Sequence, residues 1–225
     1  MSKLRNNSSK YCYEDGVLIN NFDIHDVKKL NALSRDITTY KISQVFCDNT
    51  VVKNFFTVSD YLNLHKFLFA DIFPFAGDIR DESIYKANKP CYDGVTVFAM
   101  PYAIRISLEE NLKKMRQNGG KIKTREGLLR YLAYYYGEIN IIHPFREGNG
   151  RTLRTYMKLL VDYICPYLPE EVRNLEIDYS LWDSSDRENL LRATIKGAVE
   201  DNYLDIERCF DKVLVEKELT KFKGR

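Results

Sequence analysis

The sequence lacks what would commit it to a membrane, a secretory route or a nucleic acid. No apolar run reaches the roughly twenty residues that a bilayer-spanning helix needs. Residues 1–10 are polar and rich in Ser and Asn, unlike a signal peptide. The five cysteines, Cys12, Cys47, Cys91, Cys165 and Cys209, are odd in number, far apart and without a CxxC pair. That usage fits incidental thiols in a reducing cytosol rather than a disulfide framework. A formal charge of +2 is nearly balanced, so no strong field draws the whole surface to nucleic acid or lipid. No repeat and no low-complexity tract is found.

What is there is a core. Hydrophobic residues make up 44% of 225 residues, too many for a disordered chain, and the length suits one domain, with two small ones as the alternative. The expected organisation is a disordered arm over residues 1–10, a folded domain over 11–215 and a basic tail over 216–225. The chain reads as mainly α with one small β-hairpin. Tyr11 to Ile19 is expected to pack across the domain in extended form. Asp23 is expected to cap a helix running to about Phe46, and Ser59 a second one to Ile72. The runs Ile84–Lys86 and Val95–Phe98, with turn residues at Asn88-Lys89-Pro90 and Asp93-Gly94 between them, read as a hairpin. Pro101 opens the next helix and Gly119-Gly120 closes it. Thr124 caps the helix after that. Ser185 with Glu188 reads as a capping box for a helix to about Val199, and a last helix is expected over Tyr203 to Val215.

The stretch His143 to Arg154, HPFREGNGRTLR, is where these elements meet. Upstream, Leu128, Leu132, Tyr135, Ile139 and Ile142 recur at helical spacing; downstream, Leu153, Met157, Leu160 and Ile164 do the same. The stretch is therefore a turn between two buried helices. Pro144 ends the first, because the residue before a proline is pushed out of the helical region. Gly148 and Gly150 allow a tight turn whose N–H groups, at the positive end of the second helix, suit an anion. Arg151 and Arg154 stand three apart and reach the same side, as planar forks for phosphate oxygens. Glu147, an acid among arginines, most simply carries magnesium between phosphates. His143 is the side chain most able to take a proton near neutral pH.

These twelve residues resemble the signature of the Fic-domain family, HxFx(D/E)GNGRxxR, at every specified position. The likeness extends more loosely over residues 10–215, and Phe75, Gly77 and Arg80 in FPFAGDIR resemble the family's second block. The resemblance implies the Fic fold and a protein adenylyltransferase that uses Mg-ATP and releases pyrophosphate. It implies His143 as general base toward a Ser, Thr or Tyr hydroxyl of a target protein. Glu147 would hold the magnesium. Gly148, Asn149 and Gly150 would form the anion hole, and Arg151 and Arg154 would grip the β- and γ-phosphates. Phe145 is expected to anchor the loop in the core, and His25 and His65 to be structural. Gly150, where phosphorylating Doc-like relatives carry lysine, favours nucleotide transfer. Transfer of UMP or phosphocholine would reuse the same site.

The resemblance also implies partners. The hairpin matches the family's target-docking flap, and homodimers occur in the family. Many relatives are restrained by a helix with (S/T)xxxE(G/N)N. The nearest approach here, Ser184 with Glu188-Asn189, continues with Leu190. A small antitoxin acting in trans is therefore the expected brake. No nucleic-acid or membrane partner is expected, and a cytoplasmic setting is. A non-catalytic nucleotide-binding module is the competing reading; the intact His143, Glu147 and arginines speak against it.

Overall fold

The computed structural model describes residues 9–88 and 94–217. The chain is mainly helical. It runs α1 (Val27–Cys47), α2 (Val58–Phe69), β1 (Tyr85–Ala87), β2 (Val95–Val97), α3 (Pro101–Gly119), α4 (Arg125–Ile142) and α5 (Asn149–Ile164). The short α6 (Glu170–Arg173), β3 (Leu175–Ile177), α7 (Ser184–Glu200), α8 (Leu204–Asp211) and β4 (Leu214–Glu216) follow. Among the described residues, no helix is long and apolar enough to cross a membrane.

The chain divides into two compact units. The first gathers the chain up to Tyr85 with Val97–Lys113 and Ile141–Tyr156; the second holds Lys86–Thr96, Lys114–Asn140 and the chain from Met157 onward. In the first unit, α1 and α2 pack on each other. Leu64, Leu68, Phe69, Ile72, Ile104, Leu108 and Phe145 form a core at 0% exposure. The segment after Lys10 lies across this unit as a narrow turn: Tyr13 N–H donates to Val17 O at 2.8 Å and Ile19 N–H to Tyr11 O at 2.9 Å. Of the arm expected over 1–10, residues 1–8 lie outside the described residues. Ser9 and Lys10 bond to Glu82 and Asp81. Most of the expected tail, residues 218–225, also lies outside.

The second unit is built on α7, α8 and a small antiparallel sheet. There β3 pairs β4 in the register Leu175↔Glu216 and Ile177↔Leu214. Tyr203 lies so close to Gly137 that a Cβ there would stand 2.3 Å from its ring, and its hydroxyl donates to Glu138 at 2.6 Å.

Four expected boundaries are corrected. Asp26, not Asp23, caps α1, accepting from the N–H groups of Lys28 and Lys29; Asp23 has φ 52° and pairs with His25 instead. Thr57, not Ser59, caps α2 by accepting from Asp60 N–H. The capping box of α7 is Asp183 with Asp186, two residues upstream of Ser185 and Glu188, because a carboxylate one turn back satisfies both N–H groups first. The last helix stops at Asp211, and Leu214–Glu216 becomes a strand because a partner, β3, lies within reach. The cap at Thr124 and the helix start at Pro101 stand as expected, with Gly127 N–H donating to Thr124 Oγ1 at 3.1 Å. The hairpin is present as β1 and β2, and the turn residues 89–93 between its strands lie outside the described residues.

Candidate active site

The loop between α4 and α5 belongs wholly to the first unit. Helix α4 ends at Ile142, and His143 turns the chain with φ 47°. This left-handed conformation is uncommon outside glycine, and histidine is among the residues that tolerate it best. It persists because its surroundings hold it. Arg80 is 1% exposed, and its guanidinium is a hub for four main-chain carbonyls. Nε donates to His143 O at 2.8 Å, Nη1 to Glu82 O at 2.6 Å, and Nη2 to Ala99 O at 2.6 Å and Ile142 O at 3.3 Å. Arg80 N–H adds a bond to Pro144 O at 2.9 Å. Burial pushes the Arg80 guanidinium down to about 10, which still leaves it charged at neutral pH. One side chain thus ties the end of α4, the loop and the foot of the hairpin.

The imidazole of His143 stacks on Phe98, with centroids 3.9 Å apart and planes 23° apart. Phe98 sits where the hairpin closes: its N–H donates to Ile84 O at 3.3 Å, and Ala99 N–H donates to Ile141 O at 3.1 Å.

Beyond His143 the loop is pinned from inside. Phe145 is fully buried and stacks on His65, centroids 3.6 Å apart. Asn149 reaches back to Phe145, its Oδ1 accepting from Phe145 N–H at 2.9 Å and its Nδ2 donating to Phe145 O at 2.7 Å. His65, 0% exposed, accepts from Gly77 N–H at its Nδ1 (2.8 Å), so its proton sits on Nε2, which donates to Glu147 O at 2.9 Å. Burial pushes His65 down to about 3, so it stays neutral. Sequence reading classed His65 as structural but could not show what it holds: the FPFAG segment on one side and the loop backbone on the other. Arg146 Nη2 lies 3.7 Å from Cys12 Sγ on the N-terminal segment.

Gly148 satisfies two demands that other residues cannot. Its φ is +84°, and a Cβ would stand 2.5 Å from the Phe69 ring. Helix α5 begins directly after it, with Thr152 N–H bonded to Gly148 O at 3.0 Å. The N–H groups of Asn149, Gly150 and Arg151 precede that first helical bond and sit at the positive end of the helix dipole. Gly150 leaves room for Arg154: a Cβ there would be 3.2 Å from Arg154 Nη1.

Arg151 is placed more tightly than its spacing suggested. Its guanidinium lies over Phe69 at 4.6 Å, its Nη1 is bonded to α1, and its Nη2 is 3.5 Å from Glu147 Oε1. Glu147 is half-exposed, at 45% of its side chain. Among the described residues, no three His, Cys, Asp or Glu side chains converge as a metal cage. A single carboxylate beside a phosphate site suits magnesium, which keeps several waters and takes its other oxygens from substrate phosphates.

Glu147, Gly148, Asn149, Gly150, Arg151 and Arg154 thus stand at or within the first turns of one helix, and His143 begins the loop that leads into it. Asn149 works there through its buried side chain as a brace of the loop. The residues that sequence reading passed over are Phe98, Ser34, Thr38 and the hub role of Arg80; all act through contacts distant in the chain.

The family model described as Fic/DOC family matches residues 55–161. The chain is 27% identical over 212 residues to protein adenylyltransferase VbhT of Bartonella schoenbuchensis, covering 93% of this chain and 38% of that protein. It is 29% identical over 154 residues to the probable protein adenylyltransferase Fic of Escherichia coli, covering 68% of this chain and 67% of that one. It therefore spans well under half the length of VbhT. Among solved structures it resembles BepC of Bartonella tribocorum with bound AMPPNP, at TM-score 0.75 and 20% identity over 92% of this chain and 97% of that one. It also resembles the N-terminal Fic domain of a Bartonella quintana effector with bound ADP, at TM-score 0.75 and 21% identity, over 92% and 95% of the two chains. At these identities the two structures establish the shared fold.

Proposed function

Because residues 55–161 match the Fic/DOC family model, we propose that the protein transfers AMP from ATP to a side-chain hydroxyl of a target protein. The observation that supports this most directly is the loop itself. Arg80 holds the main-chain carbonyl of His143, Phe98 stacks on its imidazole, and the loop that His143 begins leads into a helix start with two arginines and one carboxylate.

In this reading the triphosphate lies along the first turn of α5, its charge met by the N–H groups of that turn and by Arg151 and Arg154. Glu147 would hold magnesium, which when bound neutralises phosphate charge. The target presents a Ser, Thr or Tyr hydroxyl. His143 accepts the hydroxyl proton, and the oxygen forms a bond to the α-phosphorus. The bond from that phosphorus to the β-phosphate oxygen breaks, and pyrophosphate leaves with both bonding electrons. A positioned base of this kind contributes on the order of 10²–10⁴-fold.

The target docks on the hairpin. Tyr85, Val95 and Val97 are 50%, 47% and 62% exposed, so the strands offer apolar side chains, and among the described residues β1 and β2 form a sheet of two strands. An extended segment can add to the edge of such a sheet as a further strand. A separate antitoxin protein restrains the enzyme, since the (S/T)xxxE(G/N)N pattern is not found in the sequence. Purified alone, the chain is expected to transfer AMP without proteolytic trimming; a silent chain that trimming awakens would contradict the trans brake.

The test of the reaction is the position of the label. ATP labelled at the α-phosphate should mark a protein in lysate, and ATP labelled at the γ-phosphate should not. Labelling from the γ-position alone would point to phosphoryl transfer and overturn the reading.

A further inference from the structure

Arg151 is held by a helix more than a hundred positions away in the chain. Its Nη1 donates to Ser34 Oγ at 2.8 Å, Ser34 O at 3.0 Å and Thr38 Oγ1 at 3.0 Å. Ser34 and Thr38 stand one turn apart on α1 and are 3% and 1% exposed. The Thr38 hydroxyl gives its own proton to Ser34 O at 2.7 Å, so a lone pair is what it presents to the guanidinium. Two hydrogens on Nη1 are shared among three acceptors. On its face the guanidinium rests over Phe69 at 4.6 Å. Few orientations satisfy all of these contacts together.

Every acceptor that α1 offers is neutral. Carboxylates are the usual partners of a buried guanidinium, and one on α1 would have fixed Arg151 equally well while cancelling its charge. Hydroxyl and carbonyl oxygens fix the direction and leave the charge in place. Burial lowers the Arg151 pKa from its ordinary value; Glu147 opposes this, while Arg154 and Arg35 add to it. A guanidinium remains charged at neutral pH nonetheless. Positive charge is therefore concentrated at the start of α5, with the half-exposed Glu147 as the acid nearest to it.

We propose that Ser34 and Thr38 are positioning residues of the nucleotide site: they aim Arg151 at a phosphate oxygen through neutral acceptors and so keep its charge for the ligand. The inference rests on the nucleotide reading above and extends it. Helix α1, which lies outside the matched Fic/DOC segment 55–161, becomes part of the binding site. The neutrality of its acceptors, and not only their shape, sets affinity.

The experiment is a calorimetric titration of the full chain with α,β-methylene-ATP and magnesium, whose bridging carbon prevents transfer. Thr38→Asn and Thr38→Asp are compared with the parent, with melting temperatures recorded alongside. The two side chains have nearly the same size and both offer an acceptor; they differ in charge. Thr38→Asn should bind within a few-fold of the parent, and Thr38→Asp should bind on the order of tenfold more weakly than Thr38→Asn. Ser34→Ala with Thr38→Val, which removes both hydroxyls, should also lose on the order of tenfold. Ser34→Thr with Thr38→Ser, which keeps them, should recover most of that loss. Equal affinities for Thr38→Asn and Thr38→Asp would overturn the proposal even if the double variant failed to fold. A parent that binds no nucleotide would overturn the nucleotide reading itself, which separates the two failures.

Discussion

The Phe98 ring covers one face of the His143 imidazole, 3.9 Å away and tilted by 23°. In the proposed reaction this contact would steady the base. Both sides of the pair are anchored, since Ala99 O and His143 O accept from the same Arg80 guanidinium. Phe98→Ala is therefore expected to lower kcat on the order of tenfold or more while leaving the KM for ATP nearly unchanged. Phe98→Tyr, which keeps the ring, should behave like the parent. Steady-state kinetics decide this; a loss confined to KM for ATP would contradict it.

Arg80 carries more of the site's architecture than any residue in the loop. Arg80→Met would leave His143 O, Glu82 O, Ala99 O and Ile142 O without their shared donor. Stranding several buried carbonyls should cost about 3–5 kcal/mol. Arg80→Lys should recover only part of this, because an ammonium cannot span the same fork. Urea unfolding measures both; a loss under about 1 kcal/mol in Arg80→Met would refute the hub.

Gly148→Ala meets a positive φ and the Phe69 ring at once. The expected destabilisation is about 2–4 kcal/mol. In a double-mutant cycle, Phe69→Leu should relieve part of it, so that the two changes together cost less than their sum. Strict additivity would show that the ring is not the obstacle.

His65 makes stability depend on pH. In the folded chain it stays neutral down to about pH 3, whereas unfolded it titrates near 6.5. At pH 7 both states are neutral and no proton distinguishes them. Below about 6.5 the unfolded chain binds a proton that the folded chain does not, so stability falls as pH falls, until about pH 3. Between pH 6.5 and pH 5 this amounts to about 2 kcal/mol. His25, exposed and raised by Asp15 and then Asp23, works in the opposite direction. Comparing the parent with His65→Asn cancels it. Urea midpoints across this range should fall less steeply in His65→Asn; parallel slopes would contradict the account.

The parts that could be read from the sequence are those set by local rules. The helices on either side of the loop, the glycine turn, the cap at Thr124 and the start at Pro101 follow from periodicity and turn chemistry within a few residues. Gly148 is a clear case, because its demand for φ > 0 is local. The parts that escaped are held by distant partners. Ser34 and Thr38 look like ordinary polar positions on α1 until Arg151 is placed beside them. Arg80 reads as an arginine after a turn, and only the fold shows four carbonyls converging on it. Leu214–Glu216 has the composition to continue a helix, and only the presence of β3 makes it a strand. The capping errors at Asp23, Ser59 and Ser185 share one cause. Several polar residues stand near each helix start, and the choice among them depends on backbone angles that a sequence does not display.

The central claim is that the imidazole of His143, whose main-chain carbonyl is held by Arg80 and whose ring stacks on Phe98, takes the proton of a hydroxyl attacking a triphosphate bound at the start of α5. The most direct measurement pairs ATP binding with AMP transfer in parent and His143→Ala. The account predicts near-parental affinity for ATP with transfer reduced by at least about a hundredfold. Transfer by His143→Ala at the parent's rate would contradict it.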